Sequence, residues 1–138
     1  MLRIELQTPE SLSHEKYIQM HMDSFGKYTQ HNPVQVYLGF DEDKEIGFVA
    51  VNPITDTTLM LHFIGFTKDV MENCLREQKV QYFIEAYEIF KSMGFKYITG
   101  MVEGKNTKAL IWALKAGFKI LGLRARGTDV LLEVIKEV

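Results

Sequence analysis

Leu2, Ile4 and Leu6 alternate with Arg3, Glu5 and Gln7, the two-residue period of a strand with one buried face. Thr8-Pro9-Glu10 then supplies a capping side chain, a proline suited to the first helical position and an acid beside the positive helix end. Tyr17, Ile18, His21, Met22 and Phe25 continue a helical stripe that stops at Gly26. That stripe fits one helix, or two short ones with a kink near Ser13. Next, Val34, Val36, Leu38 and Phe40 alternate with Gln35, Tyr37 and Gly39, and Asp41–Lys44 reads as a polar turn. Ile46–Val51 is the return strand, Asn52-Pro53 a second turn, and Thr58–Phe66 a third strand. Three consecutive strands with short turns predict an antiparallel meander.

Helical spacing returns after Thr67. Val70, Met71, Cys74 and Leu75 share one face, and Val80, Phe83, Ile84, Tyr87 and Phe90 another, closed by Gly94. Residues 68–93 fit one helix, or a loop followed by a helix. Tyr97–Val102 is mostly apolar, as in a strand buried on both faces. Asn106 caps a helix that carries Ala109, Leu110, Ala113 and Leu114 and ends at Gly117. Lys119–Leu123 and Val130–Ile135 are two final strands around a turn at Gly127. The order β-α-βββ-α-β-α-ββ predicts an α/β (α+β) fold. Its mixed, mainly antiparallel sheet has about seven strands, with helices on both faces.

The 138 residues suit a single domain over 1–138, with no repeat or linker. Sixteen basic and 18 acidic side chains leave a net charge of −2, which offers no footprint for nucleic acid or an anionic membrane. Cys74 is the only cysteine, so no internal disulfide forms, and its place in an apolar stripe reads as a packed thiol rather than a nucleophile. His14, His21, His31 and His62 are scattered without metal-ligand spacing, so no metal site is expected. No apolar run approaches the roughly 20 residues of a membrane span, and the N-terminus lacks a signal-peptide core. A soluble, cytoplasmic chain is the expectation.

The segment Asn106-Thr107-Lys108-Ala109-Leu110-Ile111-Trp112-Ala113-Leu114-Lys115-Ala116-Gly117-Phe118 resembles a late motif of the GNAT superfamily of acyl-CoA N-acyltransferases. Asn106, Ala109, Lys115, Gly117 and Phe118 match it in register, and the order of elements is similar over nearly the whole chain. Local physics also explains these residues: a cap, small residues for close helix–sheet approach, and a left-handed helix end with an aromatic packed beneath it. Short divergent chains of this kind resemble some encoded by bacteriophages. The resemblance implies that the fourth and fifth strands diverge near Gly65 and Val102. The pantetheine arm of acetyl-CoA or another acyl-CoA would lie in that gap. Cofactor contacts would then come from the backbone of Phe63, Ile64, Gly65 and Phe66, and from Asn106.

Two features depart from the family. Its glycine-rich pyrophosphate loop would fall at Asp69-Val70-Met71-Glu72-Asn73-Cys74, which has no glycine and brings two acids toward the phosphates. Lys68, Arg76 and Lys79 are the cations available to offset them. The late-helix tyrosine that protonates the departing thiolate in many members is here Ala113, with Tyr97 and Tyr87 as other tyrosines to consider. Acyl transfer also wants a base for the amine. His62, with an ordinary pKa of about 6.5, is the first candidate and Glu103 the second. An alternating strand and a loop edge accommodate the same two residues without any catalytic role. The resemblance thus implies transfer of an acetyl or acyl group to an amine on a small molecule or protein, with a homodimer through the C-terminal strands. The missing loop and acid favour the alternative, a GNAT-like fold that serves as an interaction, assembly or regulatory module.

Overall fold

A computed structural model describes residues 1–31 and 34–138. The elements run β1 (Leu2–Leu6), α1 (His14–Phe25), β2 (Gln35–Asp41), β3 (Lys44–Pro53), β4 (Thr58–Phe66), α2 (Lys68–Asn73), α3 (Arg76–Ser92), β5 (Tyr97–Glu103), α4 (Thr107–Lys115), β6 (Lys119–Arg126) and β7 (Asp129–Glu137). They build one seven-stranded sheet in the order β1-β2-β3-β4-β5-β7-β6. Every neighbouring pair is antiparallel except β4–β5, which is parallel. The expected mixed fold with helices on both faces is the one observed.

Each face has its own core. Leu59, Ile98 and Val134 from the sheet meet Phe83, Tyr87 and Phe90 of α3, with Ala116 and Phe118 beyond α4. On the other face Tyr17 of α1 and Leu12 before it pack on Leu38 and Phe48. The late motif behaves as its local chemistry dictates. Asn106 Oδ1 accepts from the Ala109 amide at 3.1 Å, Gly117 takes φ 94°, and Phe118 is buried against Tyr87.

Several boundaries differ from the pattern reading. Thr8-Pro9-Glu10 does not start a helix. Thr8 forms a turn in which its carbonyl accepts from Ser11 and Leu12, and α1 begins five residues later behind Ser13, whose Oγ caps Lys16. Asn52-Pro53 is the end of β3 rather than a turn, paired with Met60 and Leu59, and the chain reverses over residues 54–57. Residues 68–93 are two helices, interrupted where Cys74 and Leu75 adopt extended backbone. β5 is not buried on both faces, since Tyr97 and Met101 are exposed. The last hairpin is longer at both ends than its apolar residues suggest.

Candidate active site

β4 carries the feature that shapes the site. Leu61 pairs with Val51 and Phe63 with Ala50, so His62 has no partner on β3 and forms a β-bulge. A bulge adds one residue to one strand, bends it and resets which side chains face each way. Leu59 and Leu61 therefore share the α3 face with Ile64 and Phe66, while Phe63 joins the α1 cluster. The parallel ladder between β4 and β5 ends at the same place. Its pairs run from Thr58–Tyr97 to Leu61–Gly100 and stop. Beyond them, among the described residues, Phe63–Phe66 keeps only β3 as a strand neighbour and Met101–Glu103 only β7. The two strands diverge just beyond Leu61 and Gly100, four residues before Gly65 on β4 and two before Val102 on β5.

Hydrogen-bond alternation decides which backbone groups face the gap. The Thr67 amide donates to Ile46 O at 3.0 Å, toward β3. In an antiparallel ladder alternate residues point the same way, so Gly65 and Phe63 also face β3. Ile64 and Phe66 face the open edge. The Phe66 amide confirms this parity, because it donates at 2.9 Å to Ser24 Oγ on α1 instead of to a strand. Of the four residues expected to meet a cofactor through their backbone, Ile64 turns its groups to the open edge, Phe66 faces the same way with its amide already given to Ser24, and Phe63 and Gly65 spend theirs on the sheet. Asn106, the fifth, sits at the start of α4 with its side-chain oxygen already engaged by Ala109.

The α3 side of the gap is floored by aromatics. Phe66 stacks on Phe83 with centroids 5.2 Å apart, and Trp112 of α4 lies 5.3 Å from Phe83. Lys79 Nζ rests 5.5 Å over the Trp112 ring. The segment where a glycine-rich loop was sought is helix α2. Asp69 there pairs with Lys44 at 2.6 Å and accepts from Asn73, contacts that hold its carboxyl below the usual carboxylate range. Cys74 is half-buried against the core at the break after α2, consistent with a packing role.

The α1 side holds a cluster that the sequence pattern did not reveal. His21 is 1% exposed, its ring 4.8 Å from Phe63, 4.9 Å from Phe48 and 4.5 Å from Tyr17. Its Nε2 has no hydrogen-bond partner among the described residues, and burial, with His31 nearby, pushes its pKa down to about 4. His31 Nδ1 lies 2.8 Å from Thr29 O, a pure acceptor, so Nδ1 carries a proton, and Nε2 lies 2.9 Å from Tyr17 Oη. Only the helical spacing of Tyr17 and His21 hinted at this. Thr29 and His31 come from the segment after α1, which has no periodic pattern.

His62 keeps solvent exposure at the bulge, yet desolvation of its ring and the neighbouring His31 hold its pKa below the ordinary imidazole value. Glu103 is engaged instead by Lys105 at 4.0 Å and Arg126 at 3.4 Å, so the structure gives it an ion-pairing place at the end of β5. Tyr97 lies at the closed end of the β4–β5 ladder, and Tyr87 is buried in the core with its hydroxyl pKa pushed up by desolvation, so neither reaches the gap. Among the described residues no cluster of three His, Cys, Asp or Glu side chains is placed to hold a metal ion. Nor is any helix there long and apolar enough to cross a membrane.

No protein-family model and no curated relative matches this chain. Solved structures do. A GNAT family acetyltransferase from Elizabethkingia anophelis with acetyl-CoA bound superposes with a TM-score of 0.63 at 16% identity, covering 99% of this chain and 98% of the other. An aminoglycoside acetyltransferase in complex with coenzyme A gives 0.71 at 12% identity, covering 99% and 95%. An N-acetyltransferase from Staphylococcus aureus Mu50 gives 0.70 at 12% identity, covering 99% and 97%. At such identities the likeness establishes architecture: the chain has the fold of the GNAT acetyltransferases over essentially its whole length.

Proposed function

We propose that this chain is an acyl-CoA-dependent N-acyltransferase whose thioester donor enters the gap between β4 and β5. The observation that carries this reading is the open edge of β4 at Ile64 and Phe66, created where the His62 bulge and the end of the β5 ladder coincide. An extended arm with alternating amide N–H and C=O groups pairs with such an edge as a short strand would. The acetyl-CoA and coenzyme A complexes among proteins of this fold support the same ligand class. Lys68 of α2 and Arg76 and Lys79 of α3 would be the cations to meet its phosphates, and Asn106, which caps α4 after β5, would meet it from the other strand.

In the reaction an amine nitrogen of a small molecule or protein attacks the thioester carbonyl. A C–N bond forms, the C–S bond breaks, one N–H proton leaves to His62, the departing thiolate takes a proton from water, and His62 returns its proton to the hydroxide so formed. His62 suits this step because its depressed pKa leaves it neutral and able to accept a proton near pH 7. Glu103 is the second candidate base once its ion pairs open. Replacement of His62 by Asn lowers kcat/KM about 100-fold if this assignment holds, measured at saturating donor across pH 6–9. An unchanged rate and pH profile would remove His62 from the reaction.

A specific feature favours a second reading, a fold of this type acting as an interaction or regulatory module. Helix α2 replaces a phosphate-cradling loop, and Ala113 offers no acid. Calorimetric titration with acetyl-CoA and CoA separates the two: micromolar binding supports transfer, and no heat at millimolar ligand supports the module. In either case we place a second copy of the chain along β6, the sheet edge on which Ile120, Leu121 and Leu123 are 50%, 64% and 71% exposed. Sedimentation of a Leu123→Asp variant tests that contact, with a shift from dimer to monomer expected.

A further inference from the structure

The open edge of β4 is not served by β4 alone. Phe66 points its amide into the gap, but Ser24, near the C-terminal end of α1, takes that donor at 2.9 Å. The approach is built into the sequence. A Cβ on Gly65 would stand 2.8 Å from Ser24 Oγ and 2.5 Å from the Phe48 ring, so only glycine at that position lets α1 come so close. A serine inside a helix ordinarily returns its proton to the carbonyl four residues back, here that of Met20. Ser24 makes no such bond, and its hydroxyl proton has no acceptor among the described residues. The side chain is half-buried rather than sealed. An oxygen that accepts from an amide while its own O–H is uncommitted is a polarised donor aimed away from the bond it receives.

We propose that Ser24 is a ligand-binding residue of this site: it relays the Phe66 amide, so that the edge offers its second donor as a hydroxyl from α1. The ligand group it fits is a secondary-amide carbonyl on the extended arm of the thioester donor, one strand step beyond the group met by Ile64. The inference rests on the acyl-CoA reading above. It makes α1, which also bears the aromatic–histidine cluster, part of the donor site. The opposite relation, in which Ser24 only blocks the Phe66 amide and must be displaced, predicts the opposite sign for its removal.

Calorimetric titration with CoA of the full chain and of Ser24→Ala, Ser24→Thr and Ser24→Val decides between them. Loss of the hydroxyl in Ala and Val weakens CoA binding about three- to tenfold, as expected for one hydrogen bond between neutral groups, while Thr stays within about twofold. Unchanged or tighter binding by Ser24→Ala, or equal binding by Thr and Val, overturns the role of Ser24 and leaves the acyl-CoA reading standing. Absence of binding by the unaltered chain at millimolar CoA overturns that reading and this inference with it. Circular dichroism and thermal unfolding report whether each variant folds. Should Ala or Val fail to fold, Ser24→Cys replaces them: a thiol fills the same space as a weaker donor, so binding falls with Cys and holds with Thr, and equal binding by both overturns the proposal.

Discussion

Leu59–Leu61 is paired along both edges, to β3 and to β5, whereas Phe63–Phe66 is paired along one. The two stretches are similarly apolar and adjacent in one strand, so composition does not separate them. A single unpaired residue does. His62 bends β4 at the point where β5 turns away with β7, and the closed half is paired on both sides while the open half has an edge that no strand covers among the described residues. The halves are also held differently. The closed half rests on Ile98 and the α3 core, and the open half is gripped from the α1 side through Phe63, Ser24 and the buried His21.

The contrast predicts unequal costs. Leu59→Ala, in the closed half and 1% exposed, should lose about 3 kcal/mol of unfolding free energy, and Ile64→Ala in the open half about 1–2 kcal/mol, by urea titration. Equal losses would mean that the open half is as tightly packed as the closed one. Acid should act next, and through the open half. His21 titrates near 4 in the folded chain and near its ordinary value of about 6.5 when unfolded. Between these values the unfolded chain binds more protons, so stability is complete above about pH 6.5 and declines as pH falls toward 4, by on the order of 3 kcal/mol. The groups facing His21 are Tyr17 on its own helix, Tyr28 and His31 from the following segment, and the Phe48 and Phe63 rings of β3 and β4. His21→Phe should flatten that decline between pH 4 and 6.5. A slope unchanged by the substitution would assign it elsewhere. The smallest effect is expected for Ile64→Pro. Proline is tolerated where the lost N–H faces an open edge, so stability should fall by no more than about 1 kcal/mol beyond Ile64→Ala. Acetyl-CoA affinity should nevertheless drop at least about fivefold, the worth of one edge hydrogen bond. A further stability loss above about 2 kcal/mol would show the Ile64 amide engaged in the sheet.

Much of the architecture was readable because it rests on local chemistry. The Asn106 cap, the left-handed Gly117 and Phe118 beneath it are set by neighbours in sequence, as are the alternating strands β1 and β2. The bulge was not readable. Leu59, Met60, Leu61, Phe63, Ile64 and Phe66 are nearly all apolar, so an extra residue leaves no break in alternation to detect. Thr8-Pro9-Glu10 satisfied the rules for a helix start, but the same residues make a turn, and Ser13 competed as the cap. Cys74 and Leu75 carry no turn chemistry, so the break between α2 and α3 follows from packing rather than from propensity. For the site, resemblance located the strand pair, yet which amides face outward depends on β-sheet parity. Ser24 and the Tyr17–His31 pair come together only through tertiary folding.

Amide hydrogen exchange across β4, followed residue by residue with and without acetyl-CoA, reads out the open edge itself. The Ile64 amide should exchange orders of magnitude faster than those of Phe63 and Gly65 in the free chain, and become protected when acetyl-CoA binds. An Ile64 amide as protected as Gly65 in the free chain, or one that acetyl-CoA leaves unchanged while it binds, would contradict an open, donor-binding edge.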